Sequence, residues 1–367
     1  MKKKILFCAS TVSHIMNFHL PYLRAFHEKG YEIWVAANEH KPIPYADSVV
    51  ALPIQKKFTS FQNIVAIFKV RKLIKSQNFN VISTHTTLAS AIVRTAVLLL
   101  HNKPKVFCTV HGYLFNENDG LKKWFYLMPE KIFSSVTSVL MVMNHEDYEI
   151  AQKHKLYQDK LYYINGMGID LTKFSPATQE ERDSARKVIG IPKSDFVYVY
   201  AAEFSKRKNQ QFLIRAFAEI CKQNPQMKLL LAGSGVLLNH CKELARGLGA
   251  EQQIRFLGYV EDMQELYAAC DVCVSVSLCE GMPFNIMEAI ACGLPVIASD
   301  IKGHRELLKN SKLGTFFSSA EDLQKKLIAF SEKQECLPDA NAMSKAQDYS
   351  LETVKKDILN IYLANCN

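Results

Sequence analysis

The chain has 367 residues, of which 48% are hydrophobic and 10% aromatic, so two domains with full cores are expected. No apolar run reaches the roughly 18 residues of a membrane-spanning helix, and the start MKKKILFCASTV, followed by polar SHIMNFH, is typical of a first strand rather than of an export signal. Ten cysteines without such a signal indicate reduced thiols in a cytosolic protein.

The positive charge is unevenly distributed along the chain. The net charge is +9, and residues 1–170 hold 21 Lys+Arg against 12 Asp+Glu, whereas residues 171–367 hold 24 of each. An excess confined to the first half suggests an anionic partner for that half. Ordinary solubilising charge is the alternative.

Strand-like and helix-like segments alternate along the first half. Apolar runs of strand length are separated by longer amphipathic segments, among them His19 to Gly30 and Phe61 to Gln77. The predicted strands are KKILFCAS, YEIWVAA, FNVISTH, KVFCTVH and SVLMVMN. Such alternation predicts a parallel sheet with helices on both faces.

A glycine-containing stretch, Tyr162 to Gln179, interrupts this pattern and is predicted to be a linker. A second series of strands follows: FVYVYAAE, MKLLLAGSG, IRFLGY, VCVSVS, PVIAS and GTFF. We therefore predict an α/β protein of two tandem Rossmann-like, doubly wound parallel-sheet domains, with the ligand in the cleft between them. The predicted domains are 1–170 and 171–345, and 346–367 form a C-terminal helix that crosses back to the first domain.

The sequence gives little support for a dinucleotide cofactor. The loop after the first strand has no glycine, and Leu238 occupies the third position of the glycine pattern begun by Gly233 and Gly235. Those two glycines are instead expected to let the backbone turn close to a ligand.

The segment Leu278 to Ser299 combines an acidic loop with a helix start. Pro283 suits a first helical position, so Glu280 falls in the preceding loop and Glu288 inside the helix. Free N–H groups at a helix start favour a phosphate, and the two carboxylates suit the hydroxyls of a nucleotide sugar. A helix with two ordinary solvated acids is the alternative.

A metal centre is not predicted. Cys270 and Cys273 have zinc-like spacing but no second pair, and no D-x-D motif occurs in the chain. The helix start and nearby lysines can hold a diphosphate without a divalent cation.

Several motifs resemble those of the family 4 retaining glycosyltransferases of the GT-B fold, in the subgroup of bacterial capsule, exopolysaccharide and O-antigen pathways. The resemblance runs nearly end to end. It is carried by EGMPFNIME (Glu280 to Glu288), which is similar to the E-x7-E motif of the family, and by AEFSKRKNQQFLIRAF, IASDIKGHRELL, FLGYVEDM, THTTLAS, TVHGYLF, NHEDYEIA and NGMGIDLTKFSP.

The resemblance implies roles for the second domain. Glu288 would bind the ribose, Glu280 the donor sugar, and Lys208 the leaving diphosphate, where a fixed cation stabilises the growing charge. Glu203 stands where many relatives have an arginine, so Lys206 or Arg207 would compensate. The remaining donor-binding positions are Gly281, Met282, Pro283, Phe284, Asn285, Gly233 and Gly235, with Gly258 and Tyr259 at the base.

In the first domain, the resemblance places His111 at the anomeric centre as a catalytic residue, together with Glu280 and Lys208. His14, His19 and His85 are expected on the acceptor side. A structural role is the alternative for each of these histidines, and Asn144 to Asp147 are expected to be structural.

The implied activity is transfer of a hexose or N-acetylhexosamine from a UDP-sugar to a glycan acceptor linked to undecaprenyl diphosphate. The family retains anomeric configuration, generally described as same-face displacement. No cofactor, metal or nucleic-acid partner is expected. A UDP-sugar epimerase of the same fold and a non-catalytic nucleotide-sugar-binding protein are the alternatives.

Two segments of the first half mix cations with large apolar residues: Ile64 to Lys75, preceded by Lys56 to Phe58, and Leu121 to Phe133. Basic amphipathic helices can lie in the headgroup layer of an anionic bilayer. A cytoplasmic protein held on the inner face of the cell membrane is therefore expected. In the alternative, the apolar faces pack on the sheet and the lysines are merely solvated.

Overall fold

The computed structural model describes residues 2–309, 312–332 and 346–366. The chain forms two compact α/β domains. The first comprises residues up to Gly168 together with those from Glu352 onward, and the second comprises Ile169–Leu351. The sequence analysis predicted that the first domain ends at residue 170 and the second at residue 345. Residues 333–345 of the predicted second domain and Asn367 of the predicted last helix lie outside the described residues.

The first domain contains a sheet of seven parallel strands in the order β3-β2-β1-β4-β5-β6-β7. Its central strands are buried on both faces, as expected for a parallel sheet covered by helices. The strands are β1 (Lys4–Cys8), β2 (Glu32–Ala37), β3 (Ser48–Ala51), β4 (Val81–His85), β5 (Lys105–Val110), β6 (Val139–Val142) and β7 (Lys160–Tyr163).

Six helices connect these strands, and a last helix completes the domain. They are α1 (Val12–Phe18), α2 (Leu20–Glu28), α3 (Phe61–Gln77), α4 (Thr87–Leu98), α5 (Gly120–Phe133) and α6 (His145–His154). The last helix, numbered α14, is Leu351–Asn365. Its Tyr362 stacks on Phe107 with ring centroids 4.5 Å apart, and the Tyr362 hydroxyl lies 2.5 Å from Ser83 Oγ. α14 therefore packs into the core of the first domain.

The second domain contains a sheet of six parallel strands in the order β10-β9-β8-β11-β12-β13. The strands are β8 (Phe196–Ala201), β9 (Met227–Ala232), β10 (Ile254–Gly258), β11 (Val272–Ser275), β12 (Val296–Ser299) and β13 (Gly314–Phe317). The helices are α7 (Gln179–Ile189), α8 (Gln210–Cys221), α9 (Leu238–Gly247), α10 (Met263–Ala269), α11 (Phe284–Ala291), α12 (Lys302–Leu308) and α13 (Ala320–Glu332). None of the described helices of either domain is long and apolar enough to cross a membrane.

Two strands were missed by the sequence analysis, β3 and β7. Each pairs with a single neighbour, at opposite edges of the first sheet, and the side chains of both are mostly half-exposed. Short edge strands carry little hydrophobic patterning, which explains the omission. The end of β7 overlaps the stretch predicted as a linker, so the linker begins later than Tyr162.

Candidate functional site

In the second domain, Glu280 lies in the loop between β11 and α11, where its carboxylate forms ion pairs with two cationic side chains. Lys208 Nζ lies 2.5 Å from Glu280 Oε1, and Arg207 Nη1 lies 2.8 Å from Oε2. Both cations come from the loop between β8 and α8. Burial would raise the pKa of Glu280, but Lys208 and Arg207 lower it to about 2. Glu280 is therefore an ionised carboxylate at neutral pH that holds both cations at the strand ends.

Helix α11 begins at Phe284, and Pro283 is its N-cap residue with extended backbone. The prediction that Pro283 takes the first helical position was thus wrong by one residue. Beside this helix start, the side-chain amide nitrogen of Asn285 is buried and has no hydrogen-bond partner among the described residues. The same holds for Ser205 Oγ, in the loop that carries Arg207 and Lys208. Buried donors without partners are costly, so both are positioned to bind oxygen atoms of a ligand.

Glu288 lies on α11 and accepts a hydrogen bond from the Tyr267 hydroxyl at 3.0 Å. Burial raises the pKa of Glu288 to about 7, although the Tyr267 hydrogen bond and Lys173 favour the charged form. Burial disfavours the charged form of this carboxylate, so a ligand that donates further hydrogen bonds to it would stabilise that form. Tyr267 was not identified from the sequence, because its side chain reaches Glu288 from α10.

The packing of the protein itself explains why positions 233 and 235 are glycines. Their φ angles are +137° and +149°, and a Cβ atom at Gly233 would lie 2.1 Å from the carbonyl oxygen of Ala202. At Gly235 it would lie 2.5 Å from the carbonyl oxygen of Phe204. The loop after β9 therefore packs directly on the loop after β8, which requires glycine whether or not a ligand approaches.

The other donor-side residues lie near the same sheet edge or at the surface. Lys206 is exposed, as is Glu203. Gly258, with φ of +69°, ends β10, and Tyr259 after it is 73% exposed. The predicted roles of these residues, and those of Gly281 and Met282 in the loop before α11, stay predictions.

Sequence reasoning missed Gly303 and His304 at the start of α12. A Cβ atom at Gly303 would lie 2.6 Å from the carbonyl oxygen of Glu280, so only glycine lets α12 approach the acidic loop this closely. His304 is fully buried and contacts Ser275 Oγ at 3.1 Å and the Ser299 carbonyl oxygen at 2.8 Å. Burial lowers its pKa to about 4, so His304 supports the loop as a neutral side chain. The motif IASDIKGHRELL contained both residues, but spacing alone did not indicate that Gly303 lies against Glu280.

In the first domain, two histidines lie at the ends of neighbouring strands. His85 ends β4, and His111 comes directly after β5. His111 Nε2 lies 3.5 Å from His85 Nδ1, and His85 Nε2 lies 2.8 Å from Ser83 Oγ. Burial keeps the pKa of each imidazole well below its usual value, so both rings are neutral at physiological pH.

His14 and His19 bring two further imidazoles to the same place. The ring centroid of His19 lies 3.9 Å from that of His85, and the ring centroid of His14 lies 4.9 Å from that of His111. Burial lowers the pKa of His14 to about 4 and that of His19 well below its usual value. Four histidines from three segments of the first domain thus form one cluster, which we call the histidine cluster.

By contrast, the NHEDY segment is structural. Asn144 caps α6 by accepting a hydrogen bond from the Asp147 backbone N–H, and the Asp147 carboxylate accepts from the Tyr113 N–H at 3.1 Å. Both residues are fully buried.

Both domains are α/β with parallel sheets, and in the second domain an acid–cation centre of Glu280, Lys208 and Arg207 lies beside a helix start at the strand ends, where open α/β sheets bind their ligands. The comparisons with known proteins agree. The model "Glycosyl transferase 4-like" matches residues 4–143, and the model "Glycosyl transferases group 1" matches residues 181–348.

Relatives of known sequence extend this match across most of the chain. It is 34% identical over 316 residues to the putative glycosyltransferase EpsD of Bacillus subtilis (strain 168), covering 86% of this chain and 83% of that protein. It is 30% identical over 260 residues to the UDP-Gal:alpha-D-GlcNAc-diphosphoundecaprenol alpha-1,3-galactosyltransferase of Escherichia coli. This match covers 70% of this chain and 66% of that protein. The chain belongs to this glycosyltransferase family.

Solved structures share the fold. Anabaena Alr3699/HepE in complex with UDP and glucose superposes with a TM-score of 0.77 at 18% identity, covering 99% of this chain and 100% of that chain. Sucrose-phosphate synthase from Thermosynechococcus elongatus superposes with a TM-score of 0.79 at 18% identity and 99% coverage of both chains. The predicted GT-B fold of two Rossmann-like domains is confirmed.

Proposed function

We propose that this protein is a retaining glycosyltransferase that moves a hexose or N-acetylhexosamine from a UDP-sugar to a glycan linked to undecaprenyl diphosphate, in bacterial surface polysaccharide synthesis such as that of capsule or O-antigen. The observation that carries the proposal is the acid–cation centre of Glu280, Lys208 and Arg207 beside the start of α11. It combines cations for a diphosphate with a carboxylate for sugar hydroxyls.

The donor assignment is supported by the chemistry of the second domain. Lys208 and Arg207 bind Glu280 in the free protein, and a diphosphate gives both a second anionic partner. Asn285 Nδ2 and Ser205 Oγ, which are buried donors without partners, would bind diphosphate or sugar oxygens. One GT-B neighbour, Anabaena Alr3699/HepE, was solved both with UDP and with UDP-glucose, which favours uridine in the donor.

The acceptor assignment is supported by an apolar cavity in the first domain. This cavity has a volume of about 320 Å³ and lies between α4, the end of β5 and α5. His111 lies in its wall, and Phe58 and Phe125 line it as well. The cavity wall also contains Arg94 and Glu130, which form a bidentate ion pair at 2.7 and 2.8 Å. The two charges therefore cancel each other, and the lining stays largely apolar. A lining of this kind suits an acceptor with apolar groups, and one relative is named for a sugar linked to diphosphoundecaprenol and another for the synthesis of a glucosyldiacylglycerol.

The surface around this cavity is apolar and basic. Two stripes of exposed apolar side chains lie on α3 and α5 at helical spacing. They are Phe61, Ile64 and Phe68 on α3, and Leu121, Trp124, Phe125, Met128 and Ile132 on α5. These side chains are exposed, whereas Ala66, Val70 and Ile74 of α3 pack in the core, as the alternative considered from the sequence expected for the apolar face of that helix. α4 packs against both α3 and α5, and we propose that the two stripes and their lysines together contact an anionic bilayer.

The proposed transfer step is a same-face displacement at the anomeric carbon of the donor sugar. The bond between the anomeric carbon and the β-phosphate oxygen of UDP breaks, and a bond from the acceptor hydroxyl oxygen to that carbon forms on the same face. The acceptor proton passes to the leaving diphosphate. Lys208 stabilises the charge that develops on the diphosphate, and neutral His111 binds a hydroxyl at the anomeric centre. No metal is required by this scheme.

A donor screen tests the proposal against its two alternatives. The purified protein is incubated with UDP- and GDP-sugars, with and without an N-acetylglucosaminyl-diphosphoundecaprenol acceptor. The proposal predicts UDP release only when donor and acceptor are both present. An epimerase converts the UDP-sugar without acceptor, and a non-catalytic binding protein releases no UDP under either condition.

Donor affinity is expected to depend on pH through Glu288. Its raised pKa means that the ligand-free protein holds this group partly protonated near pH 7, whereas ribose hydroxyls donate best to a carboxylate. Affinity for a UDP-sugar should therefore rise about tenfold between pH 6 and pH 8. Isothermal titration calorimetry measures this.

The matched variants are Glu288→Gln and Glu243→Gln, since Glu243 is exposed on α9. Glu288→Gln should lose the pH dependence and weaken binding at pH 8 by about 1–3 kcal/mol, while Glu243→Gln should behave as wild type. A pH dependence that survives in Glu288→Gln contradicts the ribose role.

Membrane binding is expected to depend on the basic residues of α3. Each cation near an anionic surface contributes about 1 kcal/mol, so reversing Lys69, Lys72 and Lys75 to glutamate should weaken vesicle binding by two orders of magnitude or more. Flotation with vesicles containing phosphatidylglycerol, at low and at high salt, measures binding, which should fall steeply with salt.

The control reverses Lys187, Lys222 and Lys242, which are exposed residues of the second domain. This variant should still float, and both variants should bind UDP normally. If wild-type protein stays with the soluble fraction at low salt, the membrane role is wrong.

A further inference from the structure

The histidine cluster contains three imidazoles placed to share one ligand. One ring nitrogen from each of His14, His19 and His111 lies within 4.8 Å of those of the other two. His14 lies on α1, His19 between α1 and α2, and His111 directly after β5, so the three come from two separate parts of the first domain.

The nitrogens of this cluster are not all used by the protein. Both ring nitrogens of His19, which is fully buried, have no hydrogen-bond partner among the described residues. The Nε2 atom of His14 also has none. Leaving three buried nitrogens unpaired is costly, which indicates that a bound species satisfies them.

From this geometry we propose that His14, His19 and His111 form a binding site for a transition-metal ion such as Zn²⁺, and that the bound ion inhibits sugar transfer. Imidazole is a preferred ligand for zinc, copper and nickel, whereas magnesium and calcium prefer oxygen ligands. Because all three ligands are imidazoles, the site selects against magnesium and calcium.

The site needs only a small adjustment to bind zinc. Tetrahedral zinc at about 2.1 Å from each nitrogen sets the nitrogens about 3.4 Å apart, so the present separations of up to 4.8 Å must close by about 1.4 Å at most. His14, which is only half-buried, is free to supply part of this movement. His85 supports the arrangement from behind, since it contacts His111 Nε2 at 3.5 Å and Ser83 Oγ at 2.8 Å.

Inhibition follows from the position of His111. A metal ion on His111 removes this imidazole from the anomeric centre and occupies space beside the cavity. This consequence rests on the proposed function, whereas metal binding itself does not.

The binding test uses the full chain without a polyhistidine tag. Zn²⁺ is titrated by calorimetry, and Co²⁺ is titrated by visible absorption, which reports its coordination. We expect one saturable site per chain that excess Mg²⁺ does not displace. His14→Ala and His19→Ala should each weaken binding at least tenfold, while His101→Ala, at an exposed histidine of the same domain, should not change it.

Circular dichroism shows whether each variant folds, and His14→Ala decides the matter if buried His19 does not tolerate alanine. No saturable binding by the wild type, or equal binding in a folded His14→Ala, overturns the site. For inhibition, transfer is measured with chelator and with added Zn²⁺. Full activity in chelator that falls as the site fills supports the proposal, and unchanged activity with the site filled overturns it. Failure of transfer in chelator counts against the proposed function, not against the metal site.

Discussion

Lys208→Ala is expected to lower kcat by two to three orders of magnitude while weakening donor binding far less. Lys208 acts on charge that appears on the diphosphate as the glycosidic bond breaks, and removal of a fixed group of this kind costs about 10²–10³ in kcat. Glu280 keeps Arg207 as a partner at 2.8 Å, so the loop should retain its conformation. Turnover is measured by UDP release and donor binding by calorimetry.

Lys222→Ala, at an exposed lysine of the same domain, is the control and should behave as wild type. If Lys208→Ala weakens donor binding and lowers kcat/KM by the same factor, with kcat unchanged, the lysine contacts ground state and transition state equally. In that case the proposed role is wrong.

Glu280→Gln is expected to lower both activity and stability. The variant loses the sugar contact and leaves Lys208 and Arg207 without their carboxylate, so kcat/KM should fall about 100-fold, the upper range for a hydrogen bond to a charged group. The free energy of unfolding of the second domain should fall by about 1–3 kcal/mol at pH 7, because Arg207 is partly exposed and solvent screens its share of the interaction.

The stability difference between wild type and Glu280→Gln should depend on pH in a defined direction. The folded-state pKa of about 2 lies below the ordinary value of 4.5, so the carboxylate stabilises the fold fully above about pH 4.5. That stabilisation is lost as the pH falls toward 2. Urea denaturation at pH 7 and pH 3 measures the difference, and a difference that stays constant or grows in acid contradicts the ion-pair account.

Much of the fold was predictable from the sequence because parallel sheets bury their strands on both faces. The six strands of the second domain were all found, since they contain short apolar runs such as Leu229 to Ala232 of β9. β3 and β7 were not, because edge strands are short and half-exposed. The helix Phe61 to Gln77 was found with its full length, and its buried positions Ala66, Val70 and Ile74 recur at helical spacing.

The candidate site was predictable only as far as its residues lie in local motifs. Glu280 and Glu288 stood out because acids are unusual in an apolar segment that begins a helix. Their partners Tyr267 and Gly303 come from other helices, and nothing in their spacing indicates the contact. The same limit applies to the histidine cluster: His14, His19, His85 and His111 were each identified, but their convergence depends on how α1 and α2 lie beside β4 and β5.

The most direct test of the central claim is mass spectrometry of the acceptor after incubation with each UDP-sugar. The account predicts that N-acetylglucosaminyl-diphosphoundecaprenol gains the mass of one hexose or N-acetylhexosamine residue with one of these donors. NMR of that product should show the anomeric configuration of the donor. An acceptor of unchanged mass with every donor, while the protein binds UDP, would contradict the account.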